Sequence, residues 1–535
     1  SWHPPIPSFE ALSGNRTRRR RFSQPPHLWT TFSVVRQSMS RAFVDACEAG
    51  DLLSVREMLL AGEDPGKKDV TGTTALMRAC RSGHISCVQA MLQGTPERVS
   101  SMLAVEDKGG DTALDVACIA GNCACVQALL DAGAATANAN YPASQTLWLA
   151  LLAVCGSGAV ECIQPLLDAG ADLHKLDSTL GSVLMATCYS GHAACTQALL
   201  HAGAEPDHVA AHTTAIMIAS SFGHSACLQI LLDAGADFRQ KRDDGRTALL
   251  LACWCGHTAC VQALLHAGAD PDETDAEHDQ SSALIQACRA GHASCVQTLI
   301  DAGATVDLLY TNPKSCEQGT ALMAACSAGH TSCADALLCA GADPERALSN
   351  GATALIMACR GCHLEVVQLL SSYGASRTPP GYRNRGRAGT AENSVGNISF
   401  GDLVSIQRVR TWLEETRHWT TPLHHVSLIS AERIRRLLRE GADMHARSNL
   451  DTPTPLQLAQ QAGAQAGMSH RLLLIAASPW SQANHNLKPL ATRARAVSLM
   501  RLGYLLAMQP RFPNESQSLI HVWMERVLPL AMEEY

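Results

Sequence analysis

The sequence predicts an all-α solenoid of stacked helix-turn-helix units that ends in a small helical C-terminal cap. The strongest observation is a recurring phrase, such as TALLLACWCGHTACVQALL from Thr247, whose copies mostly follow one another at 32 to 38 residues. The composition agrees, because 46% of the 535 residues are hydrophobic but only 4% are aromatic, which suits thin, closely packed helices. The chain is also too long for one compact core, a limit that stacked repeats avoid.

Each copy of the phrase carries the signals of two helices. A Thr or Ser at its start is predicted to cap the first helix, since its side-chain oxygen can accept a free backbone N–H. Ala and Leu at helical spacing form a narrow apolar face, and Gly then ends the helix. A second helix stops at Ala-Gly-Ala-Asp, as at 234–237, and a polar stretch such as 239–246 leads to the next copy. We predict ten contiguous units over residues 41–378, with Pro165 kinking or shortening the second helix of the fourth unit.

This pattern resembles that of ankyrin repeats, in which Thr-Pro-Leu-His, Gly-His, Val-Val-x-x-Leu-Leu and Gly-Ala-Asp follow in order. The central copies have Thr-Ala-Leu in place of the first motif, whereas the fuller form stands at Thr421, Pro422, Leu423 and His424. The resemblance covers roughly two-thirds of the chain. It implies units of two antiparallel helices with an outward β-hairpin finger, stacked into a curved solenoid whose concave face binds a partner.

Cysteine and histidine recur at fixed positions of the unit and raise the question of zinc sites. One copy has Cys80, His84 and Cys87, and thiolate and imidazole are good zinc ligands. The other copies argue against zinc, since the second cysteine position holds Val366 in one unit and the histidine position holds Asn122 in another. Of the 22 cysteines, 17 occupy the two helix columns. We therefore expect reduced cysteines that fill the core, histidines that hydrogen-bond neighbouring loops, and no metal or other cofactor.

Positions at which the repeat does not dictate the residue type are the candidates for partner binding. The two residues before the Gly-His step end the first helix, and in the ankyrin fold they face the concave groove. They place Tyr189, Phe222, Trp254 and Arg289 in one row, one per unit, and Tyr, Trp and Arg are enriched among the residues that dominate protein interfaces. We interpret this row as a partner-binding surface. The alternative is that the rings pack on the neighbouring finger and merely stiffen the solenoid.

Charged finger residues lie beside this row. Asp243, Asp244 and Arg246 are predicted to form the adjacent rim of the binding surface. The next finger carries an acidic cluster of Asp272, Glu273, Asp275, Glu277 and Asp279. The cluster suggests a basic segment in the partner, although a solvated loop explains it equally well.

The sequence divides the chain into five segments. Residues 1–40 are predicted to be disordered, with Met39 favoured as the initiator, so Arg16–Arg21 is not taken as an import signal. Residues 379–399 are expected to be a flexible linker. Residues 400–478 are expected to form a helix, one full repeat and one partial repeat, and 479–535 to form helices that cap the stack. This tail resembles the tails of ankyrin-repeat proteins from single-celled algae, a likeness that implies no activity.

Charge and missing motifs narrow the function. Residues 39–378 contain 18 basic and 36 acidic residues, a net charge of −18, which disfavours nucleic acid and anionic membranes as partners. No apolar run approaches the ~20 residues that span a bilayer, and no phosphate loop, nucleophile elbow or metalloprotease helix appears, so no catalytic residue is assigned. We predict a monomeric, non-enzymatic module in the cytoplasm or the nucleus that binds a protein partner. The alternative is an adaptor whose C-terminal helices dock that partner onto a larger assembly such as a ubiquitin ligase.

Overall fold

The structure, a computed structural model, describes two compact units of the chain. The described residues are 41–496 except 70–71, 138–140, 177–180, 275–280, 312–317, 380–382, 385–386, 389, 396–402, 418, 420, 448–451, 463–466, 479–484 and 489–495. We call Ser1–Asp270 the N-terminal unit and Pro271–Tyr535 the C-terminal unit. The predictions for residues 1–40, including Met39, and for the tail helices beyond residue 496 lie outside the described residues.

The N-terminal unit consists of paired helices, which confirms the predicted all-α architecture. The first helices of its pairs are α1 (41–49), α3 (Ala75–Ser82), α6 (Ala113–Ile119), α9 (Ala143–Ser157), α11 (Val183–Ser190), α13 (Ala215–Phe222) and α15 (Ala248–Cys255). The second helices are α2 (Leu52–Leu60), α4 (Ile85–Leu92), α7 (Cys123–Asp131), α10 (Ile163–Asp168), α12 (Ala193–His201), α14 (Ser225–Asp233) and α16 (Thr258–His266). Two further short helices are α5 (Pro96–Leu103) and α8 (Ala134–Ala137). From α3 onward, first helices pack on the first helices of the neighbouring pair and second helices on second helices, with the core between the two layers.

The caps predicted from the sequence explain where many first helices begin and end. Thr74 Oγ1 accepts the backbone N–H of Met77 at 3.2 Å. Thr214 also stands at an N-cap position, but its buried hydroxyl makes no such bond, so the cap prediction is wrong there. Gly223 follows the last residue of α13 with φ 78°, a left-handed conformation that residues with a β-carbon adopt only with strain.

Two irregularities interrupt the N-terminal pairs. Pro165 shortens the second helix of the fourth pair as predicted, because α10 has six residues after a 3-10 turn at Val160–Cys162, whereas α12 has nine. The helix α5 was not predicted. Its sequence signal is Thr95 followed by Pro96 at the first helical position, where a missing N–H costs nothing.

The C-terminal unit continues the same architecture. Its first helices are α17 (Ala283–Ala290), α19 (Ala321–Ala328), α21 (Ala354–Arg360) and α23 (Ala391–Ser394), and its second helices are α18 (Ala293–Asp301), α20 (Thr331–Cys339), α22 (Leu364–Ser372) and α24 (Leu403–Glu415). Two antiparallel hairpins join β1 (Tyr310–Thr311) to β2 (Gln318–Gly319) and β3 (Arg383–Asn384) to β4 (Arg387–Ala388). A 3-10 helix, Pro422–His425, pairs with α25 (Ala431–Arg439), α26 (Pro455–Gln461) pairs with α27 (Met468–Ala477), and a 3-10 turn follows at His485–Leu487.

The segment 379–399, which the sequence presents as a linker, holds ordered elements where the structure describes it. The hairpin β3–β4 precedes Thr390, whose Oγ1 accepts the N–H of Asn393 at 3.3 Å and so begins α23. α23 packs on α21, and α24 packs on α22. The two helices thus take the places of one more repeat, which the sequence signals through Gly-Thr-Ala at 389–391.

The cysteine columns lie inside the two layers. All 17 column cysteines are buried, and every described cysteine is a free thiol. Burial raises the pKa of the Cys333 thiol to about 11 and that of Cys162 to about 12, so these thiols stay protonated and unreactive at neutral pH. This agrees with small core residues rather than reactive groups. None of the described helices is long and apolar enough to cross a bilayer.

Candidate partner-binding surface

Three aromatic side chains of the predicted row are exposed at the ends of consecutive first helices. Tyr189, Phe222 and Trp254 lie in the last turns of α11, α13 and α15, and each helix ends at a left-handed glycine. Their exposed fractions are 46%, 41% and 41%. We call these three residues the aromatic surface. All three belong to the N-terminal unit. The repeat spacing thus brings one large, partly exposed ring to each of three neighbouring helix pairs.

Two of the rings contact each other directly. The centroids of Tyr189 and Phe222 lie 4.6 Å apart with an interplanar angle of 65°, an edge-to-face arrangement. Such pairs are favourable because the positive ring edge faces the negative ring face. The contact joins neighbouring repeats and leaves both rings partly exposed. It therefore serves both interpretations of the row, the binding surface and the stiffened solenoid.

Trp254 is held by the predicted rim. The Arg246 guanidinium lies 5.4 Å from the centroid of the Trp254 ring, a cation–π contact. Asp244 fixes the loop that carries this arginine, since its carboxylate accepts the Arg246 backbone N–H at 3.2 Å and lies 3.8 Å from Arg242. Asp243 pairs with His212 of the preceding finger at 2.7 Å. The structure thus places Arg246 against the Trp254 ring, with Asp244 supporting the loop that carries this arginine.

The histidine column anchors the backbone beneath the rings. His224 Nε2 donates to the Tyr189 carbonyl oxygen at 3.1 Å, and His257 Nε2 donates to the Ser221 carbonyl oxygen at 3.0 Å. The same bond joins His84 to the Glu48 carbonyl oxygen. The prediction that these histidines hydrogen-bond neighbouring loops is confirmed. Each of these bonds fixes the end of the preceding first helix, where the residues of the aromatic surface lie.

Arg289, the fourth member of the predicted row, lies in the C-terminal unit. Its guanidinium stacks on Tyr310, 4.7 Å from the ring centroid, and its carbonyl oxygen accepts a bond from His330 Nε2 at 3.2 Å. Tyr310 was not singled out from the sequence, because it belongs to a hairpin that the regular repeat lacks. In the acidic cluster, Asp272 accepts the backbone N–H of Thr305 at 2.8 Å, which gives that carboxylate a structural role.

Three members of the acidic cluster lie outside the described residues, namely Asp275, Glu277 and Asp279. In the N-terminal unit, the aromatic surface and its rim offer exposed rings, the Arg246 guanidinium against Trp254 and paired surface charges. These groups suit contact with another protein's side chains.

Two comparisons with known proteins find similar sequences or structures. The family model described as "Ankyrin repeats (3 copies)" matches residues 43–141, 184–275, 235–309, 267–347 and 284–380, together more than half of the chain. Among solved structures, the human ASB11 ankyrin repeat domain is similar at 25% identity over 43% of this chain and 98% of that domain, with a TM-score of 0.38. A comparison with curated protein sequences finds no match.

Proposed function

The chain belongs to the ankyrin-repeat family, and on that premise we propose that it is a non-enzymatic module that binds a protein partner through the aromatic surface. Ankyrin repeat domains are generally protein-interaction modules. The observation that carries the proposal is the exposure of Tyr189, Phe222 and Trp254 on three consecutive repeats in a chain with only 4% aromatic residues. Exposed apolar patches of this kind usually mark contact sites.

Energetics favour Trp254 as the centre of the surface. A tryptophan brings a large, rigid contact area with little side-chain entropy to lose, and Arg246 already orients its ring. The charged rim is expected to steer and orient the partner rather than to supply most of the affinity, because exposed ion pairs contribute little. The free cysteines suit a reducing compartment, the cytosol or the nucleus.

Quantitative affinity capture from native extract tests this proposal. The full chain and its Trp254→Ala variant serve as baits, and Leu60→Ala is the matched control, since Leu60 is 90% exposed in the same unit but lies outside the aromatic surface. Trp254→Ala should deplete a defined set of bound proteins. It should also weaken binding of the purified partner by about 2 kcal/mol, which raises the Kd roughly 30-fold. Circular dichroism should show both variants folded.

The result is decisive in either direction. Loss with Trp254→Ala and with a Tyr189→Ala, Phe222→Ala double variant, but not with Leu60→Ala, supports the surface. Equal recovery of all bound proteins by every variant would remove the aromatic surface as the binding site and leave the rings a stiffening role.

One observation favours the adaptor alternative as a second candidate. An open groove of about 570 Å³ lies between α22 and α24 in the C-terminal unit, beside Leu403, which is 84% exposed, and Leu364. We propose that this groove docks the module onto a larger assembly. If so, Leu403→Ser should release one group of captured proteins while the group lost with Trp254→Ala stays bound. Release of both groups together would contradict a separate docking site.

A further inference from the structure

We infer that two neighbouring fingers of the N-terminal unit form a site for a divalent transition metal of the zinc type. The ligands are His174, Glu205 and His208, whose ligand atoms all lie within 4.8 Å of one another. His174 follows the fourth helix pair and the other two follow the fifth. The inference is independent of the aromatic surface and of the function proposed for it.

The geometry is close to that of a coordination site. Glu205 Oε2 lies 3.0 Å from His208 Nε2, and the rings of His174 and His208 meet edge to face with centroids 5.9 Å apart. Two ligands of a tetrahedral zinc ion stand about 3.3 Å apart when each bond is about 2.0 Å. His174 is exposed, so a small rotation of its side chain closes the remaining distance.

The repeat itself shows that these residues depart from the structural pattern. At the position of His174, several other fingers carry a carboxylate that accepts a backbone N–H of the next finger, as Asp207 does from Asp237 at 2.8 Å and Asp272 from Thr305 at 2.8 Å. The finger between these two has Arg239 at that position, and the finger after α25 has His445. His174 therefore stands outside the carboxylate ladder, which joins only part of the array.

Glu205 departs in the same way. At its position other fingers have an aspartate whose side chain accepts the backbone N–H two residues later; these are Asp64, Asp172, Asp237, Asp343 and Asp443. Such a turn suits the short aspartate side chain. Glu205 is one methylene longer and reaches His208 instead. Two departures from the repeat thus converge on one point, and both bring in residue types that bind transition metals.

The ligand set selects the metal. Two imidazoles and one carboxylate suit zinc and its neighbours, whereas calcium and magnesium prefer oxygen ligands alone and copper(I) prefers sulfur. Three protein ligands leave a fourth position for water, as in open zinc sites. The sequence argues against a metal bound by the repeated cysteines, and those cysteines take no part in this site.

Cobalt(II) and zinc(II) binding to the full-length, reduced protein tests the inference. Cobalt should bind with visible d–d absorption but without a thiolate charge-transfer band, which separates this site from the 22 cysteines. His174→Ala and His208→Ala should each abolish that absorption and weaken zinc binding at least about tenfold. The control is His201→Ala, which removes an exposed histidine at the end of α12 in the same unit.

Glu205→Gln keeps the shape of the side chain but removes its charge, and it should also weaken zinc. The inference is overturned if the two histidine variants bind cobalt and zinc like the unaltered protein. It is equally overturned if the only absorption is a thiolate band, since that would assign the metal to cysteines.

Discussion

Replacing Thr320 and Thr353 by valine should change stability in opposite directions, although the two residues occupy equivalent positions. Both precede the first helix of their repeat, both are about 1% exposed, and their backbone angles nearly coincide, at φ −108° and ψ 169° for Thr320 and φ −106° and ψ 173° for Thr353. They differ in their hydroxyl groups. Thr320 Oγ1 accepts the Met323 N–H at 3.3 Å, whereas Thr353 Oγ1 is buried without a hydrogen-bond partner.

The magnitudes follow from that difference. Thr320→Val removes a helix cap and should cost about 1 kcal/mol. Thr353→Val replaces a desolvated, unpaired hydroxyl by a methyl group of similar shape, and should stabilise by about 1 kcal/mol, since an unsatisfied buried group costs about 1–3 kcal/mol. The two variants should therefore differ by about 2 kcal/mol, which exceeds the usual error of such measurements.

Hydrogen exchange of α19 and α21 is the suitable assay, because repeat arrays need not unfold in one step and exchange reports local opening. Exchange of α19 amides should become faster in Thr320→Val, and exchange of α21 amides slower in Thr353→Val. Urea denaturation followed by circular dichroism gives the accompanying shift in midpoint. A destabilisation of similar size in both variants would refute the assignment of the two hydroxyl groups.

Two further predictions concern pH and glycine. His425 is buried, and desolvation lowers its pKa from 6.5 to about 3. Between these two values the unfolded chain binds a proton at this residue and the folded chain does not. The free energy of unfolding should therefore fall as the pH drops below about 6.5, by about 2 kcal/mol at pH 5. Urea titrations at pH 8 and pH 5 should show this loss, and His425→Phe should reduce it; an unchanged pH dependence would contradict the assignment. Gly223→Ala should destabilise more than Gly235→Ala. Both glycines have positive φ, but only a β-carbon at Gly223 would clash with a neighbouring side chain, the His257 ring. Equal losses in thermal midpoint would contradict this prediction, since they would show that the His257 ring moves away from the new β-carbon without a loss of stability.

The regular part of the fold was predictable because its signals are local. Capping residues, left-handed glycines and a helical apolar face repeat within each unit, and Pro165 acts within its own helix. A helix at the start of residues 400–478 was expected, but α5, α23 and the pairing of α23 with α24 were missed, since their signals are single motifs without the full phrase. At Thr390 the cap is present, but the helix after it has only four residues, Ala391–Ser394, and only the alanine among them is apolar.

The candidate site was predictable only in part. The spacing placed Tyr189, Phe222 and Trp254 on neighbouring helices, and the finger charges beside Trp254 followed from the same register. The stacking of Arg289 on Tyr310 was not predictable, because it depends on how an irregular hairpin folds back. The grouping of His174 with His208 depends on the path of two fingers, which the repeat pattern does not fix.

The histidine bonds also give the array a direction. Six histidines of the column donate to a carbonyl of the repeat before them, as His224 does to Tyr189 and His363 to Ser327. During synthesis the N-terminal neighbour leaves the ribosome first, so each emerging repeat meets an acceptor that is already in place. The array can therefore fold one repeat at a time during synthesis, because a new repeat bonds to a neighbour that has already folded and does not depend on the repeat that follows it.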